Sequence, residues 1–163
     1  MKRPKHTKGG AALTELILEL FRLNGRVLAA GDQLTKDIGL TSARWQVMGA
    51  IALAHAPQPV AHIAKRMGIT RQSVQRIVNE LKRDGFVDFA PNPHHQRAPL
   101  VTLTEKGTTA YATTTDRQIP WANRLASKLT HRNTKIAIEV LRTLSDQLND
   151  RPGDAHEKKG KKQ

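Results

Sequence analysis

Residues 60–107 read VAHIAKRMGITRQSVQRIVNELKRDGFVDFAPNPHHQRAPLVTLTEKG, and this stretch decides the fold. Apolar residues recur at helical spacing on both sides of Gly68. Gly68 suits the left-handed position at which many helices end, and Thr70 is a favourable N-cap for the second helix. Gly85 marks the end of that second helix. The stretch therefore predicts a helix-turn-helix.

Two short runs of strand-forming residues follow the second helix. They span Phe86–Ala90 and Leu100–Leu103, and the residues between them read PNPHHQRAP. Three prolines prevent a regular element there, because proline donates no hydrogen bond to a helix or a sheet. We call residues 91–99 the wing loop. The pattern predicts a winged helix-turn-helix, a mostly α fold with a small β hairpin, which places a helix in the major groove of DNA.

The second helix has one apolar and one polar face. Val74, Ile77, Val78 and Leu81 share a face, taking about 100° per residue. Arginine pairs well with guanine, and glutamine or asparagine with adenine, so polar side chains opposite this face suit base edges. Those in the first turn suit phosphate. The candidate DNA-binding residues are Thr70, Arg71, Gln72, Ser73, Gln75, Arg76, Asn79 and Arg83 at this helix, together with His95, Gln96 and Arg97 in the wing loop. The alternative is a solvated helix face that binds nothing.

The chain resembles the MarR (multiple antibiotic resistance regulator) family of bacterial transcription factors over Ala11–Asn149. The resemblance is carried by LTSARWQVMGAIA, ITRQSVQRIVNELKRDGFV and NPHHQRAPLVTLTEKG, in that order. It implies a dimeric regulator that binds a pseudo-palindromic operator in double-stranded DNA, most often a repressor. The family wing usually carries an acidic residue followed by basic ones. His95, Gln96 and Arg97 take those places here, and only Arg97 carries over as a minor-groove residue.

The resemblance also implies the domain organisation. We expect one regulator domain over residues 11–150, with a DNA lobe over about 37–103. Helices over about 11–36 and 104–150 would form an intertwined dimerisation lobe, the alternative being a monomer with a plain helical core. Residues 1–10 and 151–163 are rich in lysine and are expected to be disordered basic tails. Pro120 predicts a bend in the helix expected from Thr104 to about Leu129.

The composition restricts the possible functions. The net charge is +13, and the chain without residues 1–10 and 151–163 still carries +6, which indicates an anionic partner. The absence of cysteine excludes a thiol redox sensor and a cysteine-bound zinc ion. No apolar run is long enough for a membrane span, and no signal peptide is evident, so we expect a cytoplasmic protein.

Three residues are candidates for binding a small aromatic or anionic effector. Arg44 and Trp45 begin the helix that precedes the helix-turn-helix, and Tyr111 lies in the helix after the wing. Trp45 and Tyr111 suit a ligand crevice, but they also suit a hydrophobic core, which the sequence favours for Trp45. Arg44 is equally suited to an exposed helix face.

The histidines suggest neither a metal site nor a cofactor. His94 and His95 fall in the wing loop, where an imidazole suits a phosphate hydrogen bond, and His55 and His62 are separated by prolines. We expect no metal and no cofactor, and the chain lacks the common hydrolase, P-loop and metalloprotease motifs. A sequence-specific transcription regulator is the favoured function. A DNA-architectural protein of low specificity is the first alternative, and an enzyme is the second.

Overall fold

A computed structural model describes residues 4–149. Its elements follow the order helix, helix, strand, helix, helix, two strands and two helices. They are α1 (Lys8–Thr35), α2 (Ser42–Ala52), β1 (Gln58–Pro59), α3 (Val60–Met67), α4 (Arg71–Arg83), β2 (Val87–Ala90), β3 (Leu100–Leu103), α5 (Glu105–Ala126) and α6 (His131–Asn149). A 3₁₀ turn, Lys36–Ile38, follows α1. The predicted mostly α fold with a small antiparallel sheet is confirmed.

The chain divides into two units, residues 1–118 and 119–163. The described part of the first unit contains α1 to β3 and most of α5. The described part of the second unit contains the last residues of α5 and all of α6. The residues expected to form a C-terminal disordered tail, 151–163, lie outside the described part of the chain.

The hydrophobic core of the first unit lies under the helix-turn-helix. Its buried side chains come from α2, α3, α4 and the strands, and they include Val47, Met48, Ile63, Val74, Ile77, Val78, Leu81, Phe86, Val87 and Val101. Gly68 ends α3 with a φ of 66°, which a glycine adopts without the cost that a β-carbon imposes. The oxygen of Thr70 then accepts from the backbone N–H of Ser73 and caps α4.

The sheet is three-stranded and antiparallel, in the order β1-β3-β2. Val87 pairs with Leu103 and Ala90 with Leu100, so β2 and β3 form the predicted hairpin with the wing loop at its tip. Strand β1 was not predicted from the sequence. It is only two residues long and includes Pro59, so it has no alternating pattern, and its pairing to β3 arises from tertiary packing.

One predicted boundary at the N-terminal side is wrong. Helix α1 begins at Lys8, so residues 8–10 of the segment expected to be disordered are helical. Thr7 caps this first turn by accepting from the N–H of Gly10 at 3.0 Å, which offsets the poor helix propensity of two glycines.

Helix α5 begins where Thr104 caps it and runs without a break through Pro120 to Ala126. The predicted continuous helix is confirmed, although it ends before Leu129, and its bend stays a prediction. Four threonine hydroxyls of α5 donate to the carbonyl one turn earlier, which leaves them satisfied within the helix. A β-carbon on Gly107 would stand 1.9 Å from the carbonyl oxygen of Phe86, so only glycine fits the junction of α5 with β2.

Helices α1 and α6 each leave large apolar side chains uncovered. On α1 these are Leu13, Leu16, Ile17, Leu18, Leu20, Phe21, Leu23 and Val27, and on α6 they are Ile136, Val140, Leu141 and Leu148. A single chain rarely leaves so much apolar surface in contact with water, and such faces mark sites of protein association. No helix in the described part of the chain is long and apolar enough to cross a membrane.

Candidate nucleic-acid interface

Helix α4 presents one polar face to solvent because its other face is fixed in the core. Val74, Val78 and Leu81 are fully buried, which leaves the opposite side chains pointing outward. These outward side chains line one shallow concavity of about 730 Å³. Its lining residues are Arg71, Gln72, Gln75, Arg76, Asn79, Glu80 and Arg83, and we call them the recognition surface. It holds every base-reading candidate that the sequence predicts on this helix.

Side chains one turn apart pair along the recognition surface. Gln75 Nε2 donates to Asn79 Oδ1 at 3.0 Å, and Arg76 Nη1 donates to Glu80 Oε1 at 2.8 Å. Glu80 was not among the candidates predicted from the sequence, although its position four residues after Arg76 was a usable signal. Both pairs restrict the rotamers of groups that would otherwise move freely in water. The recognition surface is therefore partly ordered before it meets a ligand.

The first turn of α4 serves two purposes. Thr70 caps the helix, and its hydroxyl also shares a 2.8 Å hydrogen bond with the hydroxyl of Ser73. Arg71 and Gln72 remain exposed beside the free backbone N–H groups of the helix N-terminus, a position that suits a phosphate. Both hydroxyls already have a hydrogen-bond partner within this turn. Contacts of Thr70 and Ser73 with DNA stay a prediction.

Asn92 braces the wing loop. Its Nδ2 donates to the carbonyl of Ala98 at 2.8 Å, and its Oδ1 accepts from the N–H of His94 at 3.0 Å. This amide closes the loop across six residues from inside. The sequence analysis did not single out Asn92, because its partners are backbone groups. His95, Gln96 and Arg97 are consequently left exposed at the tip.

Helix α4 and the wing loop border the same cleft. This cleft has a volume of about 760 Å³, and Arg71 and Gln75 of α4 line one part of it. His94, His95 and Arg97 of the wing loop line another part, and α3 contributes His62. No carboxylate among residues 4–149 lines the cleft. The arrangement is suited to a polyanion, since Arg71 and Arg97 approach it from different elements.

The three effector candidates lie in different surroundings. Trp45 is half-buried beside α1, where its ring lies 3.8 Å from the position of a β-carbon on Gly31. Tyr111 packs on the core with its ring 3.5 Å from the equivalent position on Gly49. Their role in effector binding stays a prediction.

Arg44 is engaged with neighbouring protein groups. Its Nη2 contacts Asp84 Oδ2 at 2.7 Å, its Nη1 donates to the carbonyl of Gly39 at 2.9 Å, and its guanidinium lies over the Phe86 ring. Asp84 also accepts from Arg83 Nε at 3.0 Å. The hydrogen bond from Arg83, together with that from Arg44, holds the pKa of the Asp84 carboxyl below its usual range.

The histidines do not form a metal site in the described residues. No group of three or more histidine, aspartate and glutamate side chains there converges to hold an ion. The imidazoles of His94 and His95 instead lie in the cleft beside Arg97.

Comparison with known proteins identifies the class. The sequence pattern of the MarR family matches residues 38–98, from the 3₁₀ turn through the wing loop. The HTH-type transcriptional repressor NicR of Pseudomonas putida is 30% identical over 70% of this chain and 70% of its own length. This chain belongs to the MarR family. The regulator is also 36% identical to the uncharacterized protein Rv2011c of Mycobacterium tuberculosis, over 70% of this chain and 78% of that protein.

A solved structure shares the fold of the regulator. The M. tuberculosis transcriptional regulator MOSR, solved in complex with DNA, superposes with a TM-score of 0.69 over 81% of this chain and 96% of its own. The two sequences are 19% identical, so this likeness concerns the fold. Family membership makes the chain a DNA-binding transcription regulator, and regulators of this family bind DNA as dimers. The expected family and DNA partner are thus confirmed.

Proposed function

We propose that the regulator is a repressor that reads a pseudo-palindromic operator through the recognition surface and the wing loop of each protomer. The observation that supports this most directly is the cleft bordered by both elements, with Arg71 on one and Arg97 on the other. One recognition helix reads few bases, whereas two related by a two-fold axis read half-sites about one helical turn apart. The protein would act in the cytoplasm, where its DNA lies, and without catalysis.

The uncovered apolar faces of α1 and α6 support the dimer. Phe21 is 69% exposed and Leu148 is 80% exposed in the single chain, and both sit on faces that carry further leucines. Burial of such faces against a second copy is the main favourable term in protein association. The paired helices then fix the separation of the two recognition surfaces.

Selection of bound duplexes from a random library by the full-length protein tests this function. We expect a symmetric consensus of two half-sites, bound at fixed salt on the order of 10³-fold or more tightly than random duplex. Arg124→Ala provides a control, because it removes an exposed arginine outside the recognition surface. Enrichment of no sequence, with equal affinity for all duplexes, would favour the architectural alternative instead.

We also propose that a small aromatic or anionic effector binds beside Trp45 and Tyr111 and releases the operator. Structures of this fold include CouR of Rhodococcus jostii bound to p-coumaroyl-CoA, which supports a ligand-binding role for the fold. Trp45 lies against α1 and Tyr111 against α2, so a ligand between them would contact the helices that precede the helix-turn-helix.

Fluorescence of a single-tryptophan variant tests effector binding. The chain contains two tryptophans, so Trp121→Phe leaves Trp45 as the only one. We expect saturable quenching by some members of a panel of aromatic carboxylates, and release of the selected operator over the same concentration range. Quenching without operator release would contradict the proposed coupling, and Trp45→Phe should abolish the operator response.

A further inference from the structure

The C-terminal end of α4 is held by contacts from two other helices. Arg44 of α2 donates to the carboxylate of Asp84, and Lys106 of α5 donates to its backbone carbonyl at 2.7 Å. The ring centroid of the next buried side chain, Phe86, lies 5.5 Å from the Arg44 guanidinium and 4.4 Å from the Lys106 ammonium group. Asp84 is therefore the residue through which α2 contacts the recognition helix by charge.

Arg44 depends strongly on this carboxylate. Its side chain is only 12% exposed, and its Nε is buried with no hydrogen-bond acceptor among residues 4–149. Within residues 4–149, Arg44 forms one ion pair, and its partner is Asp84. A guanidinium with little access to water needs a compensating charge, so Arg44 and Asp84 hold each other in a fixed position. The pair spans 40 residues of sequence and two helices.

The same carboxylate also contacts the recognition surface. Its Oδ1 accepts from Nε of Arg83, the last residue of α4, whose side chain is 74% exposed. Arg83 lines the recognition surface, where a guanidinium can reach a phosphate. Asp84 thus neutralises and orients Arg83 at the edge of that surface, and it adds a negative charge that repels the DNA backbone.

We propose that Asp84 is a positioning residue for operator recognition, which ties the end of α4 to α2 through Arg44 and holds the Arg83 guanidinium at the edge of the recognition surface. This inference rests on the proposed function. It assigns two separable effects to one carboxylate. The bond to Arg44 fixes the direction of the recognition helix and favours the cognate site. The bond to Arg83 restrains a cation and lowers the affinity for DNA of any sequence.

Asp84→Asn in the full-length protein tests both effects. We expect the affinity for random duplex to rise about threefold. The slope of log affinity against log salt concentration should steepen by roughly one, because each released Arg83 can contact one more phosphate. We expect the affinity for the selected operator not to rise, so the ratio of specific to random binding falls at least threefold. Asp37→Asn is the matched control, because Asp37 also pairs with an arginine of another helix, Arg117, away from the recognition surface. In Asp37→Asn the ratio of specific to random binding should stay at the wild-type value.

Two further variants separate the effects. Arg44→Met should lower the ratio without steepening the salt dependence, because the Arg83–Asp84 bond remains. Arg83→Gln should remove the steepening when combined with Asp84→Asn. If Asp84→Asn fails to fold by circular dichroism, Arg44→Met with Asp84→Asn removes both partners and leaves no buried unpaired charge.

The outcomes distinguish this inference from the proposed function. A wild-type protein that shows no operator preference would refute the proposed function itself. A wild-type preference that survives unchanged in Asp84→Asn, with the same salt dependence, would overturn the role of Asp84 alone. An equal loss of preference in Asp37→Asn would also overturn it, because the effect would then follow from general loosening of the fold.

Discussion

Glu80 and Arg76 offer the sharpest test of how the recognition surface reads bases. Their ion pair, at 2.8 Å with side chains 32% and 70% exposed, is of the one-turn helical type. Such exposed pairs contribute about 0.3–0.5 kcal/mol. A bidentate contact from arginine to guanine is worth about 1–3 kcal/mol of discrimination. The base contact is the stronger of the two, so DNA should displace Glu80 from Arg76.

The net effect of each substitution follows from these magnitudes. Arg76→Ala should cost about 0.5–2.7 kcal/mol per half-site, which is the base contact less the ion pair that must break. It should also relax the preference at one base position. Glu80→Gln should raise affinity up to about twofold per half-site, because Arg76 is then free before binding. In the Arg76→Ala background the gain from Glu80→Gln should shrink.

Titration of labelled operator and of single-base variants at fixed salt provides the measurement. The stability of each variant should stay near that of the wild type, since neither side chain belongs to the core. Arg124→Ala is the control for loss of one exposed positive charge. An Arg76→Ala protein with an unchanged base-preference profile and full affinity would refute the reasoning and remove Arg76 from the reading set.

Three further predictions concern the wing loop, the dimer and the junction with α5. Arg97→Ala should weaken binding to operator and random duplex by similar factors and reduce the salt slope by roughly one, and retention of the full slope would show that the loop does not touch DNA. Leu141→Asp, on the exposed face of α6, should shift sedimentation at micromolar concentration from dimer to monomer and weaken operator binding; a wild-type monomer would contradict this. Gly107→Ala should lower stability by about 1–3 kcal/mol or more in thermal unfolding, because its β-carbon would stand 1.9 Å from a backbone oxygen. Gly25→Ala should instead stabilise by about 0.5–1 kcal/mol, since open space surrounds that position, and equal effects of the two would contradict the junction.

The helix-turn-helix and the hairpin were predictable from local signals. Gly68 and Gly85 both adopt positive φ, and Thr70 caps α4 through its side chain. Each of these residues carries a backbone requirement that is visible in the sequence alone. The spacing of Val74, Ile77 and Leu81 then fixed which face of α4 is exposed, and the recognition surface followed from it.

The parts that the sequence did not reveal depend on tertiary pairing. Asn92 braces the wing loop through backbone groups, and Asp84 is defined by an arginine 40 residues earlier in the chain. Composition and periodicity carry no information about such partners. Arg44 is a second example. From the sequence it suited an effector contact or an exposed helix face, whereas in the structure it forms an ion pair with Asp84.

The carboxylates on α4 bear on how so basic a chain achieves specificity. A net charge of +13 attracts DNA of every sequence, and this non-specific attraction competes with the operator. Glu80 pairs with Arg76 and Asp84 pairs with Arg83, so two of the arginines on the recognition surface are restrained in the unbound protein. A phosphate that replaces the carboxylate gains little free energy, because the arginine exchanges one anion for another. A guanine edge adds geometry that only the correct site supplies. If the recognition surface contacts DNA as proposed, carboxylates placed beside its arginines weaken binding to random sequence more than binding to the operator, and the specificity of the regulator then depends on its acidic residues as well as its basic ones.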